Sequence, residues 1–199
     1  MTLDLDEAKV ERNEFGLWLG WTLATAGGML VGFLLTIPLV NILDLGFARV
    51  VIPILAGILI GFSQWIVLRQ YLTTGSDWVL AGGTGWAAGY ALGLLLIQNL
   101  SSTLFAGIAA YLLFGVIVAL VQWQDLRREI PSKLTWILAN SLGWAAGLWA
   151  SQAALTLFFR DPVIPPAVST VVIAVTSGLV AGAITGVALI WIARQPEKI

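Results

Sequence analysis

The chain alternates long uncharged stretches with short clusters of charge and turn residues. The uncharged runs cover Phe15 to Leu43, Val50 to Leu68, Trp78 to Gln124, Leu134 to Phe159 and Pro162 to Ala193. A hydrocarbon core about 30 Å thick needs about 20 apolar residues in helical form. The first, second, fourth and fifth runs each supply one such helix. The third is 47 residues long and is interrupted by Gln98-Asn99-Leu100-Ser101-Ser102, so it supplies two. This pattern predicts six transmembrane helices near 15–42, 49–71, 77–98, 103–124, 133–159 and 166–193. Pro131 and Pro165-Pro166 suit helix starts, where a missing N–H is harmless. Pro38 should kink the first helix or end it early.

Composition places the chain firmly in the membrane class. It is 59% hydrophobic and 11% charged, with a mean hydropathy of +0.92, whereas a soluble domain carries roughly 25% charged residues. The leader bearing Asp4, Asp6, Glu7, Glu11 and Glu14 is acidic, and the apolar run behind it is long. A removable signal has a basic start and a short apolar run, so the first helix is expected to stay with the chain. Orientation follows from the basic residues. Lys9, Arg12, Arg69, Arg127, Arg128, Lys133, Arg194 and Lys198 fall on the side of the termini, and Arg49 and Arg160 on the other. The positive-inside rule then makes both termini cytoplasmic. Trp18, Trp65, Trp78, Trp123, Trp136 and Trp191 lie near the same helix ends, as an interfacial aromatic belt would.

Internal repeats organise the rest. In the odd-numbered helices Gly20-Trp21, Gly85-Trp86 and Gly143-Trp144 align, the last two as Gly-Trp-Ala-Ala-Gly blocks. In the even-numbered helices Gly57, Gly115 and Gly182 each stand twelve residues before Arg69, Arg127 and Arg194. Gln64-Trp65 and Gln122-Trp123 recur in two copies, and Leu189-Ile190 replaces the pair in the third. The even pattern repeats at 58 and 67 residues, the odd one at 65 and 58 in this alignment. The expected fold is an all-α integral membrane protein. Its six transmembrane helices form three parallel-repeat helical hairpins, 15–71, 77–124 and 133–193, in a pseudo-threefold arrangement. Residues 1–14 form an acidic cytoplasmic leader, 15–194 a single transmembrane domain and 195–199 a cytoplasmic tail. Gly57, Gly61, Gly89, Gly147 and Gly182 are expected at helix-packing contacts, because lipid gives no hydrophobic drive and close backbone approach over small residues must supply it.

Candidate chemistry is sparse. The absence of cysteine and histidine removes disulfides, thiol nucleophiles, the usual general base near neutral pH and the usual axial ligand of haem. No nucleophile–base pair, paired intramembrane carboxylates, phosphate loop or metal cluster is present in the sequence pattern, so no enzyme is expected. A net charge of −1 gives no reason to expect nucleic acid. Polar groups inside the membrane are the default functional candidates. Gln64 and Gln122 form a candidate polar ligand pair, against the plainer reading of interhelical hydrogen bonds. Arg69, Arg127 and Arg194 form a candidate ring for an anionic lipid headgroup or a partner, against the plainer reading of anchors that snorkel to the interface. No cofactor is predicted. Bound lipid, a carotenoid, or a chlorophyll ligated by Gln, Asn or water instead of histidine stays open.

The Gly-x-x-Gln-Trp-x-x-Leu-Arg segment at 61–69, followed by Trp78 and the Gly-Trp-Ala-Ala-Gly block at 85–89, resembles small uncharacterised multi-pass proteins of cyanobacteria and other photosynthetic bacteria. The resemblance covers about the whole transmembrane region, with departures in the first and third copies, and it implies no activity. Two function classes follow. One is a non-catalytic accessory, assembly or scaffold subunit, with a photosynthetic complex as candidate host and membrane lipids and other membrane subunits as partners. The alternative is a transporter or channel for a small neutral or lipidic solute, since transporters are often built from repeats. The expected location is a bacterial inner or thylakoid membrane.

Overall fold

The computed structural model describes residues 13–72, 75–100, 103–127, 132–159 and 164–194, and all regular structure there is helical. The helices are α1 Glu14–Ile42, α2 Leu45–Leu68, α3 Asp77–Asn99, α4 Thr103–Leu126, α5 Lys133–Phe158 and α6 Pro166–Ala193. The sequence expectations that rest on Lys9, Arg12, Arg128, Pro131, Arg160 and Lys198 fall outside the described residues. α3, the shortest, has 23 residues, or about 35 Å at 1.5 Å per residue, enough to cross a bilayer core. Five helices are long and apolar enough to do so among the described residues. The exception is α5, diluted by Asn140, Ser141, Ser151 and Gln152. The outward faces are covered with exposed Leu, Val, Ile and Phe, among them Phe15, Leu80, Leu134, Leu157 and Phe158. Such a surface suits lipid, and the chain is an integral membrane protein.

The helix ends have local causes. The Asn13 side chain accepts the Gly16 N–H at 2.8 Å and starts α1. Asp44 accepts the Phe47 N–H at 3.0 Å and starts α2. This cap sets α2 going four residues before the expected position 49, so Arg49 lies inside its first turns. α2 ends at Leu68, not 71, and the chain beyond it tightens into turns with Gln70 N–H bonded to Val67 O. Pro38 does not end α1, which continues to Ile42.

Each helix packs on its two chain neighbours, and α6 closes back on α1. The result is a ring of six with the start of α1 and the end of α6 at one end of the bundle, where Glu14 and Arg194 pair. The seams rest on glycine. A Cβ at Gly57 would lie 2.5 Å from Gly82 O, one at Gly115 2.5 Å from Asn140 O, and one at Gly182 2.9 Å from the Thr22 Cα. A Cβ at Gly147 would lie 2.6 Å from Ser177 O, one at Gly89 2.8 Å from the Phe114 ring, and one at Gly61 3.2 Å from Trp78 O and the Val79 backbone. At Gly57, Gly115, Gly147 and Gly182 the neighbouring backbone lies closer than a Cβ would allow.

The seams correct one repeat register. Gly57 faces Gly82 and Trp86, Gly115 faces Asn140 and Ser141, and Gly182 faces Thr22 and Thr25. Trp21, Trp78 and Trp136, at spacings of 57 and 58 residues, meet in one layer. Met29, not Trp21, packs in one cluster with Trp86 and Trp144. Trp21 stands level with Trp78 and Trp136 instead. The Gly-Trp dipeptide misled the alignment because the residue that fills this inner level in α1 is Met29, another large apolar side chain.

Candidate functional site

Viewed from the termini inward, the axis is filled in two layers and then opens. In the first layer Trp21 meets Trp78 and Trp136 edge to face, and Trp78 and Trp136 are tilted against each other, with ring centroids 6.0, 6.1 and 6.1 Å apart. All three are fully buried. Trp78 and Trp136 thus do not belong to an interfacial belt; they point at the axis and seal it. Leu17, Leu68, Leu126, Leu189 and Ile192 pack around them. Each aromatic pair of this kind contributes about 0.5–1.5 kcal/mol beyond its buried area.

The second layer lies eight residues, or about 12 Å, further along the odd helices. Trp86 packs on Trp144 at 5.1 Å and on Phe114 at 5.0 Å, with ring planes near perpendicular. Phe114 lies 5.7 Å from Trp144, and Met29 is fully buried in the same cluster. Eight residues further again stand Ile37, Leu94 and Gln152. None is aromatic, and the axis there is not filled. A cavity of about 460 Å³ occupies the half of the bundle away from Glu14 and Arg194, lined by residues of all six helices but mostly of α2, α3 and α4. Its inner end is Met29, Trp86, Phe114 and Trp144; toward the end opposite the termini it reaches Ala48, Arg49 and Ile97. The lining is apolar apart from Arg49, Tyr90 and Tyr111.

Between the two filled layers runs a polar collar. Gln64 and Gln122 are buried. The Gln64 amide donates to Thr25 Oγ1 at 3.0 Å, joining α2 to α1, while the Thr25 hydroxyl donates to Trp21 O at 2.9 Å. Trp21 Nε1–H donates to Thr185 Oγ1 at 2.8 Å, joining α1 to α6. At the matched positions of the other two seams stand Ile60 and Val118, which accept nothing. Correspondingly Trp78 Nε1 and Trp136 Nε1 are buried without a partner, as are Gln64 Oε1 and Gln122 Oε1. The even helices without a threonine at this position, α2 and α4, carry a glutamine four residues on, and α6, with Thr185, carries Leu189 there. Neither glutamine lines the cavity, so the candidate ligand pair and the one described chamber are separate.

The candidate arginine ring is not made of three equivalent free cations. Arg69, Arg127 and Arg194 all follow the ends of even helices at the terminal end of the bundle, and all are exposed. Arg69 lies over the Trp65 ring at 4.9 Å. Arg194 binds Glu14 through two hydrogen bonds, one of them Nε to Oε1 at 2.7 Å. For Arg127 no ion pair is described. The sequence reasoning missed the chamber, because its lining residues read as ordinary packing; the drop from tryptophan to aliphatic residues along the odd helices was the available signal. No protein-family model matches the chain, and neither a curated protein nor a solved structure significantly similar to it was found.

Proposed function

We propose that the chain is a non-catalytic accessory or scaffold subunit of a larger membrane complex, built from three parallel hairpins about a pseudo-threefold axis with both termini in the cytoplasm. The observation that carries this reading is the filled axis. Trp21, Trp78 and Trp136 close it at the terminal end, and a second aromatic layer closes it near mid-span. A solute path has no continuation through two such layers without rebuilding them. The spacings of 57 and 58 residues among Trp21, Trp78 and Trp136 support the threefold relation, and the excess of Arg and Lys at the terminal end supports the orientation. The transport reading called for a cavity reaching Gln64 and Gln122, and neither lines the chamber.

The resemblance of the Gln-Trp-x-x-Leu-Arg and Gly-Trp-Ala-Ala-Gly segments makes a photosynthetic membrane, inner or thylakoid, the first place to look. Arg69 and Arg127 would anchor the terminal end to lipid phosphates or to an acidic partner surface. The test is purification of the tagged chain from such a membrane in mild detergent, beside reconstitution in sealed vesicles. The expected result is a stoichiometric membrane partner and no solute flux. A solitary chain that carries flux overturns the proposal.

A further inference from the structure

The chamber in the outer half has the dimensions and chemistry of a site for one lipid chain. Along α3 its lining runs from Trp86 to Ile97, eleven residues or about 16 Å. One leaflet of a hydrocarbon core about 30 Å thick is about 15 Å deep. The inner end lies near mid-membrane, since Trp86 is nine residues into the 23-residue α3. It is closed there by the perpendicular rings of Trp86, Phe114 and Trp144. At the other end is Arg49, exposed and within two turns of the start of α2. Among the described residues the one ion pair is Glu14–Arg194, so the Arg49 guanidinium is uncommitted. Its planar fork matches phosphate and carboxylate oxygens. A volume of about 460 Å³ falls in the range of about 300–1,000 Å³ typical of small-molecule sites.

We propose that this chamber binds an anionic amphiphile, with one acyl chain running from Arg49 down to the Trp86–Phe114–Trp144 floor and its phosphate or carboxylate on Arg49. The chemistry is shared by an anionic phospholipid of the surrounding leaflet and by a free fatty acid. The site discriminates against a neutral head because Arg49 is the cation at its mouth. It is distinct from the scaffold reading and stands or falls without it.

The experiment is native mass spectrometry of the full chain from micelles doped in turn with phosphatidylglycerol, oleic acid and phosphatidylcholine. One retained molecule per chain is expected for an anionic probe and none for phosphatidylcholine; whether phosphatidylglycerol or oleate is kept separates the two sources. Leu148→Trp, which fills the chamber from α5, should abolish retention. Arg49→Gln, at an exposed position that leaves folding intact, should weaken binding of the anionic probe about tenfold, the scale of one charge-assisted contact. Equal retention of phosphatidylcholine, unchanged retention in Arg49→Gln, or no retained molecule in the wild type overturns the proposal.

Discussion

At the residue scale the glycines divide into those that touch backbone and those that do not, and the division predicts opposite outcomes for one methyl group. A Cβ at Gly115 would meet Asn140 O at 2.5 Å and the Ser141 Cα at 2.6 Å. Both are backbone atoms that cannot rotate away, so Gly115→Ala should lower stability by about 1–3 kcal/mol through overpacking. A Cβ at Gly93 would sit 3.7 Å from Ala110 Cβ and O, an ordinary contact, so Gly93→Ala should leave the unfolding midpoint in detergent unchanged or slightly raised. No loss in Gly115→Ala would mean that the α4–α5 seam is looser than its 2.5 Å approach implies. The polar collar gives a second contrast. Thr185 accepts the buried Trp21 N–H and donates to Ala181 O at 2.7 Å. Thr185→Val should cost about 1–3 kcal/mol, the penalty for a buried donor left alone. Gln64→Leu copies the residue already present at the matched position 189 and should cost less. Thermal unfolding of the two variants side by side checks the order.

At the scale of the helices, existence was legible in the sequence, and the ends less so. The uncharged runs marked all six helices because an unbroken backbone hydrogen-bond ladder is the only economical way for such a segment to sit in lipid. The start of α2 was missed because Arg49 read as a flank, whereas Asp44 is the cap that sets the start. The small-residue stripes marked packing faces, and Gly57, Gly61, Gly89, Gly147 and Gly182 all lie against a neighbouring helix. What the stripes could not convey was which helix, since any neighbour offers the same advantage of close approach. Trp21 is the instructive case. Its Gly-Trp context matched Gly85-Trp86, but its neighbours are Trp78 and Trp136, and only the seams reveal that Met29 takes the inner level. The Glu14–Arg194 pair joins α1 to α6 but is exposed, at 38% and 64% of the side-chain surface. Water screens an exposed pair, so it contributes little to stability. Arg194→Gln should therefore leave ring closure intact, with a change in unfolding midpoint smaller than that of Gly182→Leu, which acts on the α1–α6 seam itself.

At the scale of the molecule the six helices form a closed ring, sealed on its axis at the terminal end and open to an apolar chamber at the other. The seal was hidden from sequence analysis because tryptophans near helix ends fit an interfacial belt equally well. What distinguishes a sealing tryptophan is the face of the helix it occupies relative to neighbours not yet placed. The orientation has its own check: a fluorescent fusion at the C-terminus should be active in the cytoplasm and an alkaline phosphatase fusion after Leu43 active outside, and the reverse pair would invert the assignment of the chamber to the outer leaflet. The most direct test of the central claim is the coupling among Trp21, Trp78 and Trp136, because these rings join helices α1, α3 and α5, whose backbones do not pack on one another. Double-mutant cycles with Trp→Leu changes, read by unfolding in mixed micelles, should give coupling energies of about 0.5–1.5 kcal/mol for all three pairs and none resolvable between Trp21 and Trp144. Additive behaviour of the Trp21–Trp136 pair would contradict the account, since the first and third hairpins would then not meet on a common axis.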